Sequence, residues 1–157
     1  MTFVKVCGMT RREDIEAAAE LGVDALGFIL VPASPRFLPS EEAAKLASSV
    51  PQGIRKVAVM MNPSRTEIEV VEKAGAFDCI QFHGSETPET LSGCRLETIK
   101  AFSVTEEADL ENAALYDAWA IRVLVTKDSG EIGGVTDKVA PALERDIHVI
   151  LIKRPED

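Results

Sequence analysis

Apolar runs rich in Val, Ile and Phe alternate with Ala- and Glu-rich amphipathic stretches from one end of the chain to the other. Residues 3–7 (FVKVC) read as a strand, and residues 12–21 (REDIEAAAEL) carry their apolar positions at helical spacing. Thr10 is the expected N-cap of that helix, with Glu13 three residues on, and Gly22 ends it where a left-handed backbone is needed. The same reasoning gives a strand over 24–30, and a helix from Pro39-Ser40-Glu41 to about 50 with Ser40 as cap. A strand over 55–61, a helix over 63–74, a strand over 79–83, a short helix over 88–92 and a strand over 97–102 follow. Beyond them lie an expected helix over 106–115, a strand over 119–125, a helix over 138–145 and a strand over 148–152.

One unit repeats its own wording. Leu21-Gly22-Val23-Asp24 before the second strand is echoed by Ala74-Gly75-Ala76-Phe77-Asp78 before the fourth. In both, Gly closes a helix and Asp precedes a buried strand. Strands that alternate with helices at roughly 24 residues per repeat form parallel βαβ units with right-handed crossovers. A doubly wound dinucleotide fold wants G-x-G-x-x-G after its first strand, and here the turn is Cys7-Gly8-Met9-Thr10. A (β/α)8 TIM barrel collects chemistry at the carboxyl ends of its strands, where the unusual residues of this chain fall. Eight units would need about 190 residues. The 157 residues accommodate about seven strands. The expectation is a single barrel-type domain over 1–157, incomplete, with its last βα unit missing and open sheet edges at the first and seventh strands.

Composition narrows the setting. With 46% hydrophobic residues the chain can bury a core, which excludes a disordered protein. A net charge of −9 offers no footprint for nucleic acid or an anionic membrane. No apolar run approaches the roughly 18 residues of a membrane span, and residues 1–5 lack a signal-peptide pattern. Cys7, Cys79 and Cys94 are spaced neither as a disulfide framework nor as a metal site, so a reducing cytoplasm and no bound metal are expected.

Several polar residues are hard to place in a core. Lys5 and Cys7 share one strand face, which brings an ammonium towards a thiol and makes Cys7 a candidate base or nucleophile. The competing reading is a small core Cys with Lys5 snorkelling past it. Arg36 follows Pro32-Ala33-Ser34-Pro35, a stiff loop that suits a guanidinium meant to fork onto a carboxylate or phosphate, or else a solvated surface residue. Gln81 and His83 share a face at the end of the fourth strand, before Gly84, as site residues or as hydrogen-bonded interior groups. Lys100 falls in the same ring or in a buried ion pair with the neighbours of Lys5.

Lys5-Val6-Cys7-Gly8-Met9-Thr10, the 24–30 strand followed by Ser34-Pro35-Arg36-Phe37, Gln81-Phe82-His83-Gly84, and Ile99-Lys100-Ala101-Phe102 occur in this order. Together they closely resemble the phosphoribosylanthranilate isomerase family of tryptophan biosynthesis. The resemblance implies a (β/α)8 barrel and an Amadori rearrangement of N-(5-phosphoribosyl)anthranilate, without metal or organic cofactor. It implies that Cys7 is the general base, that Arg36 holds the anthranilate carboxylate, and that Lys5, Gln81 and His83 line the substrate.

The same resemblance exposes departures beyond about residue 119. The family's acid lies in a Leu-Asp-Thr-Lys-like string, which here reads Leu124-Val125-Thr126-Lys127. Asp128 is the nearby substitute. The family's Gly-Gly-Thr-Gly loop after the sixth strand here reads Gly133-Gly134-Val135-Thr136 and supplies Gly133 and Gly134 as phosphate candidates. The family's Gly-rich phosphate turn after the seventh strand is replaced by Ile152-Lys153-Arg154-Pro155. The expected partner is a small phosphorylated aminosugar, with weak or no turnover. The alternative is a non-catalytic barrel that binds a ligand or self-associates as a homo-oligomer through its open edges.

Overall fold

A computed structural model describes residues 3–101, 123–127, 143–144 and 148–152. The chain divides into two compact units, Met1–Lys100 and Ala101–Asp157. The first runs β1 (Lys5–Cys7), α1 (Arg12–Glu20), β2 (Ala25–Ile29), α2 (Ser40–Ala47), β3 (Arg55–Met60), α3 (Arg65–Ala74), β4 (Cys79–Phe82), α4 (Pro88–Ser92) and β5 (Glu97–Lys100). Its five strands form one parallel sheet in the order β1-β2-β3-β4-β5. The second contains β6 (Val123–Lys127) and β7 (His148–Ile152), also parallel, with Val123 opposite His148. The expected helices over 106–115 and 138–145 lie outside the described residues, apart from Leu143 and Glu144. The strand expected over 119–125 is described at Val123–Lys127, and that over 148–152 is found as read.

The three central strands, β2 to β4, are mostly buried on both faces, and their runs are correspondingly apolar. On one, Leu26, Phe28, Ala58, Met60, Ile80 and Phe82 pack with Ile15, Ala43, Ala47, Ile68 and Val71 from the helices. Phe28 meets Phe77 edge to face, with ring centroids 5.9 Å apart. On the other, smaller side chains make a thinner layer: Ala25, Val57, Val59 and Cys79, joined by Cys7, Ile29 and Ile99. Parity along each strand therefore decides which residues reach the helices and which reach the layer that holds Cys7.

Two helix N-caps differ from expectation by one residue. Arg11, extended at φ −137°, occupies the N-cap of α1, and its guanidinium forks onto Asp14 at 3.0 and 2.7 Å. Thr10 sits one position too early to cap. Pro39 occupies the N-cap of α2, so Ser40 is the first helical residue instead of the cap. The α3 start is a full capping box: the Glu67 amide donates to Ser64 Oγ, and the Ser64 amide donates to the Glu67 carboxylate. Gly75 ends α3 at φ +63°, the left-handed cap the sequence predicts.

The repeated Asp has a physical role. Asp24 Oδ2 accepts from the Val4 amide at 2.6 Å, and Asp78 Oδ2 accepts from the Lys56 amide at 2.7 Å. Each carboxylate, placed just before its own strand, satisfies a backbone amide at the start of the preceding one, Val4 just ahead of β1 and Lys56 within β3.

Candidate active site

The parallel strands all point their carboxyl ends one way, so the loops that follow them gather the polar groups of the first unit. β1 ends at Cys7, which is half-buried, as is Lys5 two residues earlier on the same face. Cys7 is paired in register with Gly27 of β2. A Cβ at Gly27 would lie 2.7 Å from Cys7 Sγ and 3.2 Å from Lys5 Nζ, so both groups crowd around one point. The Gly27 carbonyl accepts from the amides of Gly8 and Met9 at 2.8 and 2.9 Å, which bends the chain sharply after Cys7.

Arg36 arrives from the loop after β2. That loop is braced by the Ser34 hydroxyl, which accepts from the Arg36 amide at 3.2 Å, and by the Leu38 amide donating to the Ile29 carbonyl at 2.9 Å. The guanidinium lies against Gly8, where a Cβ would be 2.7 Å from Nη1, and Nη1 donates to the Cys7 carbonyl at 2.9 Å. Arg36 is thus an exposed residue with a fixed address beside the thiol, not a freely solvated one.

Gln81 falls on the same face by parity, opposite Val59 and Ile99. His83 follows β4, held by its amide donating to the Met60 carbonyl at 2.9 Å, and its side chain is exposed. An interior, hydrogen-bonded histidine is therefore not what the fold makes of it. Lys100 does not join the Cys7 ring. It pairs in register with Phe82, whose side chain belongs to the helix-side core, and its ammonium lies 2.8 Å from the Glu86 carboxylate and donates to the Gly84 carbonyl. A buried ion pair does form, but with Glu86 in the loop after β4 and not with the neighbours of Lys5.

Glu86 was not legible as a special residue, yet it ties three loops. Its carboxylate accepts from the Asn62 amide at 2.7 Å, from the Gly84 amide at 3.0 Å, and from Lys100. Burial alone would raise its pKa, but the hydrogen bonds from Lys100 and from backbone amides outweigh that and hold it below the usual carboxylate value. Asn62, left-handed at φ +48°, accepts from the Ser85 amide at 2.7 Å through Oδ1. A Cβ at Gly84 would lie 2.3 Å from that Oδ1, so the loops after β3 and β4 interlock. The signal that could have revealed Glu86 is Lys100 itself, an ammonium ending an apolar strand and in need of a buried anion.

Val125 lies within β6, opposite Ile150 in register. Asp128, Gly133 and Gly134 lie outside the described residues. A cleft of about 250 Å³ lined by Pro63, Arg65, Ile68, Glu89, Thr90 and Gly93 lies beside α3 and α4, and none of the residues around Cys7 lines it. No cluster of three or more His, Cys, Asp or Glu side chains poised for a metal occurs among the described residues.

A parallel sheet built from βα units, with its polar side chains gathered in the loops at the strand ends, places the molecule in the βα-barrel class. A family model described as N-(5'phosphoribosyl)anthranilate (PRA) isomerase matches residues 4–139, and the chain belongs to that family. The N-(5'-phosphoribosyl)anthranilate isomerase of Petrotoga mobilis is 39% identical over 135 residues, covering 85% of this chain and 65% of that protein. The crystal structure of phosphoribosyl anthranilate isomerase from Thermotoga maritima superposes with a TM-score of 0.81 at 30% identity, over 97% of this chain and 77% of that one. A phosphoribosyl anthranilate isomerase solved in complex with reduced 1-(o-carboxyphenylamino)-1-deoxyribulose 5-phosphate gives 0.73 at 26% identity, over 98% and 87%. The chain spans about 65% of the length of the curated relatives it matches first.

Proposed function

We propose that the chain is built for the isomerisation of N-(5-phosphoribosyl)anthranilate, and that Cys7, Lys5, Arg36, Gln81 and His83 are its substrate-facing residues. The observation that carries this reading is the Arg36 guanidinium docked at 2.9 Å on the carbonyl of Cys7, which sets an anion-binding fork beside a thiol. In the rearrangement, protonation of the ribose ring oxygen lets the nitrogen lone pair expel it, giving an open-chain Schiff base. A base then removes the C2 proton, and the resulting enolamine takes a proton at C1 as the ketone forms at C2. Cys7 is the base in this reading, Arg36 holds the anthranilate carboxylate, and Lys5 favours negative charge nearby.

The acid step is where this chain departs from the family pattern. The position where the family resemblance calls for an aspartate is Val125, with Asp128 three residues on as the substitute and Gly133 and Gly134 offered to the phosphate. Loss of a general acid costs about 10²–10⁴-fold, so turnover is expected to be weak. Turnover of N-(5-phosphoribosyl)anthranilate that rises on Val125→Asp and vanishes on Cys7→Ala supports the assignment. Ordinary turnover by a Cys7→Ala chain overturns it. Binding of the reduced product analogue without turnover in the Val125→Asp chain favours a ligand-binding barrel without catalysis.

A second property rests on β1, an edge strand of its sheet among the described residues, whose neighbourhood exposes Phe3 (41%), Val4 (43%) and Val6 (37%). An apolar edge of this kind pairs with another chain, and we propose homo-oligomer formation through it. A light-scattering mass of one 17.0 kDa chain at high concentration overturns that. No helix among the described residues is long and apolar enough to cross a membrane, and the free Cys7, Cys79 and Cys94 suit a reducing cytoplasm.

A further inference from the structure

We infer that Gly27 is a positioning residue for the reactive thiol: the side chain it lacks is the space in which Cys7 Sγ and Lys5 Nζ are held together. Gly27 stands in the middle of β2, inside the apolar run Ala25-Leu26-Gly27-Phe28-Ile29. A glycine there weakens the strand and leaves a hole in the layer, and in strand interiors it marks a close approach by something else. Here the approach comes from the neighbouring strand. The ideal Cβ position at Gly27 is 2.7 Å from Cys7 Sγ, 3.2 Å from Lys5 Nζ and 3.3 Å from the Cys7 α-carbon. The first distance is too short for any real carbon. The lysine end could swing away at little cost, but the thiol is only two bonds from its own α-carbon, and that backbone is itself too close to allow a simple retreat. A methyl at this position must turn Sγ out of the notch and part it from the ammonium.

The backbone of the same residue finishes the arrangement. Its carbonyl receives the Gly8 and Met9 amides, and the turn so formed presents the Cys7 carbonyl to Arg36. One residue therefore sets both the direction of the thiol and the seat of the guanidinium, while touching no substrate. The inference rests on reading Cys7 as the reactive group, and its test needs no turnover, so failure of the isomerase reading would leave the outcome interpretable.

The test compares alkylation of Cys7 by anionic iodoacetate and by neutral iodoacetamide, followed by peptide mass analysis with Cys94 as internal reference. An ammonium close to the thiol favours the anionic reagent, and Gly27→Ala is expected to lower the iodoacetate-to-iodoacetamide rate ratio roughly fivefold, the factor one charge at about 4 Å exerts in water. Lys5→Met should lower it to the same level. A merely structural glycine would change stability and leave the ratio alone, so an unchanged ratio in a folded Gly27→Ala chain overturns the inference. Should Gly27→Ala fail to fold, Cys7→Ala/Gly27→Ala decides: a folded double variant confirms that Sγ is the obstacle, and an unfolded one overturns it.

Discussion

The Glu86 carboxylate lies 2.8 Å from the Lys100 ammonium, with both side chains almost entirely withdrawn from water. Taking two charges out of water is costly, and here the cost is met by further hydrogen bonds: Glu86 also receives the Asn62 and Gly84 amides, and Lys100 also donates to the Gly84 carbonyl. The pair is a fastening between the ends of β3, β4 and β5. Glu86→Ala removes the carboxylate partner of the buried Lys100 ammonium and the acceptor of the Asn62 and Gly84 amides, and is expected to cost about 3 kcal/mol. The urea midpoint should fall with the slope unchanged, and Glu86→Ala/Lys100→Met should recover part of the loss. A midpoint unmoved by Glu86→Ala would show that the fastening carries no load.

Acid should loosen the same fastening. The folded-state pKa of Glu86 lies below its ordinary value, so the folded state binds its proton less readily than the unfolded chain does. Its contribution is therefore complete above the unfolded value, roughly pH 4.3, and is lost as pH falls through the folded one. Unfolding free energies measured between pH 3 and 7 should decline below that point, and Glu86→Gln should flatten the decline. An equal acid slope in both chains contradicts this.

The three thiols should sort by burial. Desolvation pushes the Cys79 thiol up to about 11, against a smaller opposing pull from Arg55, so at pH 8 it is both covered and protonated. Cys7 and Cys94 are half-exposed. Ellman's reagent on the native chain at pH 8 should modify Cys7 and Cys94 and spare Cys79 until denaturant is added. Rapid native labelling of Cys79 would show that the layer between β3, β4 and β5 is open.

Arg36 offers a binding test separate from catalysis. A charge-assisted fork onto a carboxylate is worth roughly 10- to 100-fold in affinity, and Lys cannot reproduce its two parallel bonds. Calorimetric binding of reduced 1-(o-carboxyphenylamino)-1-deoxyribulose 5-phosphate should weaken by that factor in both Arg36→Ala and Arg36→Lys. Equal affinity in the three chains would remove Arg36 from the site.

The strands were readable because burial on both faces leaves short, unbroken apolar runs that few other structures tolerate, and the glycine at 75 was readable because only a left-handed cap asks for it. The caps of α1 and α2 were missed by one residue: Arg11 and Pro39 start those helices through backbone geometry, which their side chains do not advertise. The site was half-legible. Cys7, Lys5 and Arg36 betray themselves as polar residues at strand ends. Glu86, in Gly84-Ser85-Glu86-Thr87, looks like any solvated loop acid, and its burial depends on a lysine 14 residues away. Gly27 has no side chain to announce it, and its meaning appears only when β1 is laid beside it.

The two aspartates at the strand starts carry a consequence for how the sheet comes apart. Asp24 clamps β1 to β2, and Asp78 clamps β3 to β4, while no such carboxylate spans the β2–β3 line among the described residues. The β2–β3 line instead rests on the longest backbone ladder of the sheet, five registered pairs from Ala25–Arg55 to Ile29–Val59. Asp24→Ala should speed hydrogen exchange at the Val4 amide and leave the Lys56 amide slow, since each clamp serves only its own pair of strands. Each clamp therefore reinforces a ladder shorter than the one between β2 and β3: three pairs join β1 to β2, and four join β3 to β4.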